Sequence, residues 1–196
     1  TVGGGGNNTA NGYSSTIGGG DNNIASGAAS TVPGGRYNAA TGNYSIAAGY
    51  RAKALSAGSF VWADSTDVDF PKILNPNFFA VRATGGVGFT VKVFADGQSE
   101  QFCNYLANTS GWDCTSDRNT KENFVPVDGS EVLHRLAAMP LFYWNFKGAD
   151  PAARNLGPTA QDFYGAFGLG TGDKTIATGN LDGVALAAIK GLNAKF

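Results

Sequence analysis

The sequence predicts a mainly β protein in three parts: a parallel β-solenoid over residues 1–63, a β-hairpin transition over 64–114, and a small α+β unit over 115–196 ending in a coiled-coil-type helix. Three observations predict it. A 15-residue unit recurs in four near-copies from the N-terminus, two β-rich runs flank Gly85-Gly86, and from Ser116 onward charged residues and helix signals become frequent.

Aligned on Asn-x-Ala-x-Gly-x-x-Ser, the copies begin at Asn8, Asn23 and Asn38, with a shortened 14-residue copy around Ala52 to Ala63. The register puts Ala10, Ala25, Ala40 and Ala54 at one position, Ser15, Ser30, Ser45 and Ser59 at another, and Val2, Ile17, Val32, Ala47 and Val61 at a third. A unit this short holds two strand-like stretches and two Gly-rich turns, so its few apolar side chains are buried only by stacking coil on coil. The first fifty residues carry only Asp21 and Arg36 as charges, a composition that also suits disorder. Strict positional recurrence argues for order, with Gly18-Gly19 and Gly34-Gly35 expected at corners that need positive φ.

After Trp62 the composition shifts, through Asp64, Asp67 and Asp69 to the proline-bearing stretch 70–76, which reads as a boundary. Phe78–Thr84 and Val87–Phe94, separated by Gly85-Gly86, read as a hairpin capping the solenoid, with Ala95-Asp96-Gly97 as the next turn. Further on, Ser130 is positioned to cap a helix over Glu131–Met139 that Pro140 ends, with Leu133, Leu136 and Ala137 as its buried stripe. Phe142–Phe146 reads as a strand, and Thr159–Phe167 as a short helix stopped by Gly168. Asp182 would cap a last helix, Gly183–Phe196, where Ala185, Ile189, Leu192 and Phe196 fall at spacings of four, three and four, the beginning of a coiled-coil seam.

A net charge of -1 with no basic patch argues against a nucleic-acid partner, and no apolar run reaches membrane-spanning length. The chain opens inside a repeat, which reads as a fragment. Cys103 and Cys114, with the only histidine at His134, do not make a zinc pattern. They are either a disulfide closing a short loop, which implies an oxidising, extracellular setting, or two unpaired small residues. Asp64, Asp67 and Asp69 lack calcium-loop spacing and read as solvated turn acids, and Gly168–Gly172 lacks the context of a phosphate loop. Tyr13, Tyr37, Tyr44 and Tyr50 either form a glycan-binding patch or cover a solenoid flank. Ser116 and Lys121 lie five apart just after a loop, where a neutral amine could take the hydroxyl proton if Arg118 supplied a field favouring the neutral form. On a regular helix the two side chains would point about 140° apart, so a turn is needed to bring them together.

Two resemblances sharpen this reading. Residues 1–63 resemble the head repeats of trimeric autotransporter adhesins, which implies a left-handed parallel β-roll in each of three chains. Ser116-Asp117-Arg118-Asn119-Thr120-Lys121-Glu122-Asn123-Phe124, Val132–Leu136, Trp144–Lys147, Gly157–Phe163 and Asp182–Ile189 resemble, co-linearly over about 115–196, the intramolecular chaperone auto-processing domain of phage endosialidase-type tail spikes, tail fibres and related bacterial surface proteins. That resemblance implies a homotrimer, Ser116 as nucleophile, Lys121 as base and Thr115-Ser116 as the scissile bond, with neither metal nor cofactor. Asn155 stands where many relatives have His, and Thr159 where Met is common.

The expectation is therefore an extracellular trimeric fibre, spike or surface adhesin, on a cell surface or virion tail, with a host-surface or glycan ligand for the head. Its C-terminal domain would drive trimer folding and cut its own chain. The alternatives are a purely structural adhesin or filament subunit whose trimerisation domain never cuts, and a polysaccharide-degrading spike, for which the chain offers no convincing pair of carboxylates.

Overall fold

The structure is a computed structural model and describes residues 1–71, 75–93, 95 and 99–195. Lys72–Leu74 of the proline-bearing stretch, Phe94, Asp96 and Gly97 near the expected turn, and Phe196 of the expected seam lie outside the described residues. Contacts divide the chain into two units, Thr1–Thr120 and Lys121–Phe196.

In the first unit the repeat becomes a parallel β-solenoid. One sheet stacks Thr9–Ala10, Ile24–Ala25, Ala39–Ala40 and Lys53–Ala54, and a second stacks Thr16–Ile17, Thr31–Val32, Ile46–Tyr50, Phe60–Ala63 and Phe79–Arg82. Inside lie Ile17, Val32, Ala47 and Val61 from one repeat position and Ala25, Ala40 and Ala54 from another, all fully buried, together with Ser15, Ser30, Ser45 and Ser59. The recurrence therefore reports the interior as expected.

So narrow an interior leaves little apolar burial per coil, and asparagine does much of the joining. Asn23 and Asn38 are buried; the Asn23 backbone N–H donates to Oδ1 of Asn8 (3.0 Å), that of Asn38 to Oδ1 of Asn23 (3.0 Å), and that of Ala52 to Oδ1 of Asn38 (2.9 Å). Each Nδ2 turns to carbonyls on both sides: Asn23 donates to Gly19 and Gly35, and Asn38 to Gly34 and Gly49. Ala52 ends the ladder in the shortened copy.

Of the glycines expected at positive-φ corners, Gly35 alone is found there. Positive φ falls at Gly5, Gly20, Gly35 and Gly49, not at Gly18, Gly19 or Gly34. Gly18 is needed for a different reason, because a Cβ there would lie 2.3 Å from the carbonyl oxygen of Pro33 in the next coil. The other left-handed corners are held mostly by non-glycine residues, Ser14, Ala29 and Tyr44 at one, where Gly58 continues the column, and Asn22, Tyr37 and Arg51 at the other.

The expected boundary and hairpin also shift. Phe79–Arg82 pairs parallel with Phe60–Ala63 as one more rung of the stack, and residues 64–71 form a loop after the last coil. Phe70 from that loop joins the solenoid core at 7% exposure. The parallel pairing is favoured by Phe79 stacking on Phe60 (5.2 Å between rings) and by Arg82 reaching back to Asp64 (3.0 Å). A hairpin does follow, but it pairs Gly86–Val93 with Ser99–Leu106, with Asp113–Cys114 added beyond the latter.

Among the described residues the second unit holds three helices, α1 (Gly129–Ala138), α2 (Ala160–Phe167) and α3 (Thr178–Asn193), and an antiparallel pair, Phe142–Trp144 with Asn155–Gly157. Asp128 rather than Ser130 caps α1, its side chain accepting from the N–H groups of Ser130 and Glu131. Its inward residues are Val132, Leu136 and Met139, while Ala137 is exposed. Thr159 caps α2 and Gly168, at φ 63°, closes it as expected. Helix α3 begins before Asp182, at Thr178, because Leu181 is drawn into the core around Met139, Phe163 and Val184. Helices α1 and α3 meet at glycines: a Cβ on Gly191 would lie 2.0 Å from the Gly129 carbonyl oxygen.

Asn38→Ala should destabilise the solenoid by about 3 kcal/mol, by stripping partners from the Ala52 amide and the Gly49 carbonyl. Gly27→Ala should cost a similar amount, about 3 kcal/mol, since its Cβ would lie 2.0 Å from the Gly42 carbonyl oxygen. Gly19→Ala, with no atom within 4 Å, is the control, expected within about 1 kcal/mol of wild type. Urea unfolding of the chain measures all three.

Candidate functional site

The strand Ser99–Leu106 carries the geometry around the expected scissile bond. Cys103 faces Cys114, and the two are joined in a disulfide with Cα atoms 4.0 Å apart. Such a close approach belongs to a non-hydrogen-bonded position of an antiparallel ladder, so the flanking pairs carry the hydrogen bonds. One flank is Asn104 with Asp113; the other is Phe102 with Thr115.

At that second flank the Thr115 N–H donates to the Phe102 carbonyl (2.9 Å) in the usual way. The return bond is unusual: the Phe102 N–H donates to the side-chain Oγ1 of Thr115 (3.1 Å), and that hydroxyl also lies 3.3 Å from the Phe102 carbonyl. Thr115 is half-buried, whereas Ser116 beside it is exposed.

Beyond Ser116 the chain makes a single 3₁₀ turn, Arg118–Thr120. Asp117 starts it, its carboxylate accepting from the Asn119 backbone N–H (2.9 Å) and side-chain amide (3.0 Å), while the Thr120 hydroxyl donates to the Asp117 carbonyl (2.9 Å). Ser116 and Lys121 are thus separated by a turn and not by a regular helix. Ser116 belongs to the first unit and Lys121, also exposed, opens the second.

The three aspartates are ion-paired; Asp67 and Asp69 are exposed as expected of turn acids, whereas Asp64 is largely shielded from solvent. Asp64 pairs with Arg82 (3.0 Å), Asp67 with Arg51 (2.7 Å), and Asp69 with Arg51 (3.3 Å) and Lys53 (3.4 Å). The backbone N–H and then the hydroxyl of Thr84, followed by the Thr66 N–H, hold the Asp64 carboxyl well below the usual carboxylate range. Hydrogen bonds from Tyr50 and Arg51 depress Asp67 likewise. Among the described residues no group of three or more His, Cys, Asp or Glu is placed to hold a metal ion, and no helix is long and apolar enough to cross a membrane.

The four tyrosines divide between two settings. Tyr37 and Tyr50 lie 6.2 Å apart among Arg36 and Arg51, whose guanidinium groups sit 4.7 and 5.0 Å from the Tyr37 ring, and Tyr50 donates to Asp67. Tyr13 and Tyr44 are 86% and 71% exposed. His134 is exposed, as expected of a surface histidine.

Sequence reasoning passed over Phe102, Arg51 and Arg82. No local signal marks Phe102, whose role comes from strand register. A half-buried arginine among aspartates a coil away was legible once Phe79–Arg82 was counted as one more rung.

Residues 116–168 match a peptidase family model described as the chaperone of endosialidase. No match to a curated protein accompanies it.

Because its carboxyl is depressed in the fold, Asp64 stabilises above the ordinary carboxylate value of about 4, and that contribution fades as the pH falls below it. Wild type should therefore melt above Asp64→Asn at pH 7, with the gap narrowing progressively from about pH 4 to about pH 2. Circular dichroism melts across that range measure it, and a gap independent of pH would refute the assignment.

Proposed function

We propose that the chain is part of an extracellular trimeric fibre, spike or surface adhesin, of a cell surface or virion tail, whose region 115–196 drives folding of the trimer and then cuts the chain before Ser116. The observation that carries the reading is the coincidence at Ser116. The match to the chaperone of endosialidase begins there, and the preceding residue is fastened to a disulfide-braced strand.

A trimer accounts for what each unit leaves uncovered. On α3, Val184, Ala188 and Gly191 face inward while Leu186, Ile189 and Leu192 are 65%, 63% and 48% exposed, and the expected seam residue Ala185 lies exposed on the same side. Phe142, Tyr143, Phe146 and Leu156 add further exposed apolar surface. Three chains would bury such ridges against one another. The solenoid would form the binding head, with a host-surface molecule or glycan as its ligand.

In the cleavage, Ser116 Oγ attacks the carbonyl carbon of Thr115 as its proton passes to the neutral Lys121 amine. The C–N bond breaks, and the departing Ser116 nitrogen takes up a proton. This leaves an ester between the Thr115 acyl group and Ser116 Oγ. Water hydrolyses it to a Thr115 carboxylate and a new N-terminus at Ser116. A nucleophile adjacent to its own scissile carbonyl has a high effective concentration, so one turnover suffices and added peptides stay uncut.

Ser116→Ala and Lys121→Ala should each leave a folded, uncut chain, while wild type yields a fragment beginning at Ser116 by mass spectrometry. Wild-type trimers that stay whole would instead identify a structural adhesin with a non-cleaving trimerisation domain.

A further inference from the structure

We infer that the side-chain hydroxyl of Thr115 is a positioning group for self-cleavage: it takes the ladder hydrogen bond that the scissile carbonyl would otherwise accept and leaves that carbonyl to the attacking Ser116. The inference rests on the self-cleavage reading and deepens it.

It follows from strand register. Cys103 and Cys114 occupy a close, non-hydrogen-bonded pair, with Cα atoms 4.0 Å apart. At the next pair, Phe102 with Thr115, an antiparallel ladder exchanges two bonds, each backbone N–H donating to the partner's carbonyl. One is present, from Thr115 N–H to the Phe102 carbonyl at 2.9 Å. For the other, the Phe102 N–H donates to Thr115 Oγ1 at 3.1 Å. The side chain has replaced the main-chain oxygen.

The substitution matters because of which carbonyl it displaces. A carbonyl accepting in a β-ladder is held in the sheet plane, which fixes the face it can offer to an attacking oxygen. With the hydroxyl as acceptor, residue 115 stays anchored through its N–H and side chain while its carbonyl is released from that bond. The Cys103–Cys114 disulfide fixes the preceding pair and so holds the register that brings Oγ1 to the Phe102 N–H. Serine or threonine can supply the hydroxyl. Valine, of the same shape, cannot, and with it the Phe102 N–H would turn to the backbone carbonyl.

The test follows intact mass against time for the full-length wild type, Thr115→Val, Thr115→Ser and Ser116→Ala, with circular dichroism as the check on folding. Thr115→Val should fold and cut at least about tenfold more slowly, by misplacing the reacting carbonyl. Thr115→Ser should cut within about threefold of wild type, a rescue that mere loss of packing would not give. Thr115→Val cutting at the wild-type rate would overturn the inference. If wild type itself stays whole, the self-cleavage reading fails separately. Crystal structures of Ser116→Ala with and without Thr115→Val then decide the positioning: the Phe102 N–H on Oγ1 in the first and on the carbonyl of residue 115 in the second supports it, and the carbonyl as acceptor in both overturns it.

Discussion

The solenoid depends on coils stacked so closely that backbone lies directly on backbone. At Gly12, Gly27 and Gly42 a Cβ would come within 2.0 to 2.2 Å of a carbonyl oxygen in the next coil. Inside the stacked coils lie chiefly alanine, valine, isoleucine and serine, and such side chains bury too little apolar surface to hold the coils alone. Buried peptide groups at the corners must therefore be matched, and the asparagine ladder matches them coil by coil. Once those bonds are fixed, the backbone is over-determined. This is why Ala29, Tyr37, Tyr44 and Arg51 tolerate left-handed conformations that ordinarily favour glycine.

Where the asparagine column gives way to Ala52, other groups take over. Arg82 donates to the Asp64 carboxylate and to the carbonyls of Tyr50, Asp64, Thr66 and Val68, so a largely buried cation has its donors satisfied. Phe70 occupies the core at the same end. Together they close the stack with a charge and an aromatic ring, and the antiparallel sheet that follows is free to obey a different pairing rule. That change of rule creates the Phe102–Thr115 pair, because an antiparallel ladder alternates close and hydrogen-bonded positions.

The second unit is built on the opposite economy of space. Glycines at 129 and 191 let α1 and α3 touch, and Phe163, Met139 and Val184 fill a small core. Many of its larger apolar side chains point outward. A unit with a thin interior and an apolar exterior gains its remaining stability from whatever covers that exterior, which couples its folding to assembly under the proposed function.

The sequence alone determined the solenoid, its interior positions and the class of the second unit, because a repeat imposes the same environment on each copy and a period of 15 residues is visible without coordinates. It also marked Thr159 and Gly168 as the ends of α2, since caps are local chemistry. Tertiary structure decided what was not local. Gly85-Gly86 carried a hairpin signal, yet Phe79–Arg82 joined the parallel stack because Phe60 and Asp64, distant in sequence, offered a ring and a charge. Asp182 had capping chemistry, yet α3 started earlier because Leu181 had a core to enter. The hydroxyl of Thr115 was one of many in the chain; only the register of Ser99–Leu106 set it against the Phe102 amide, and register is settled between strands, not within one.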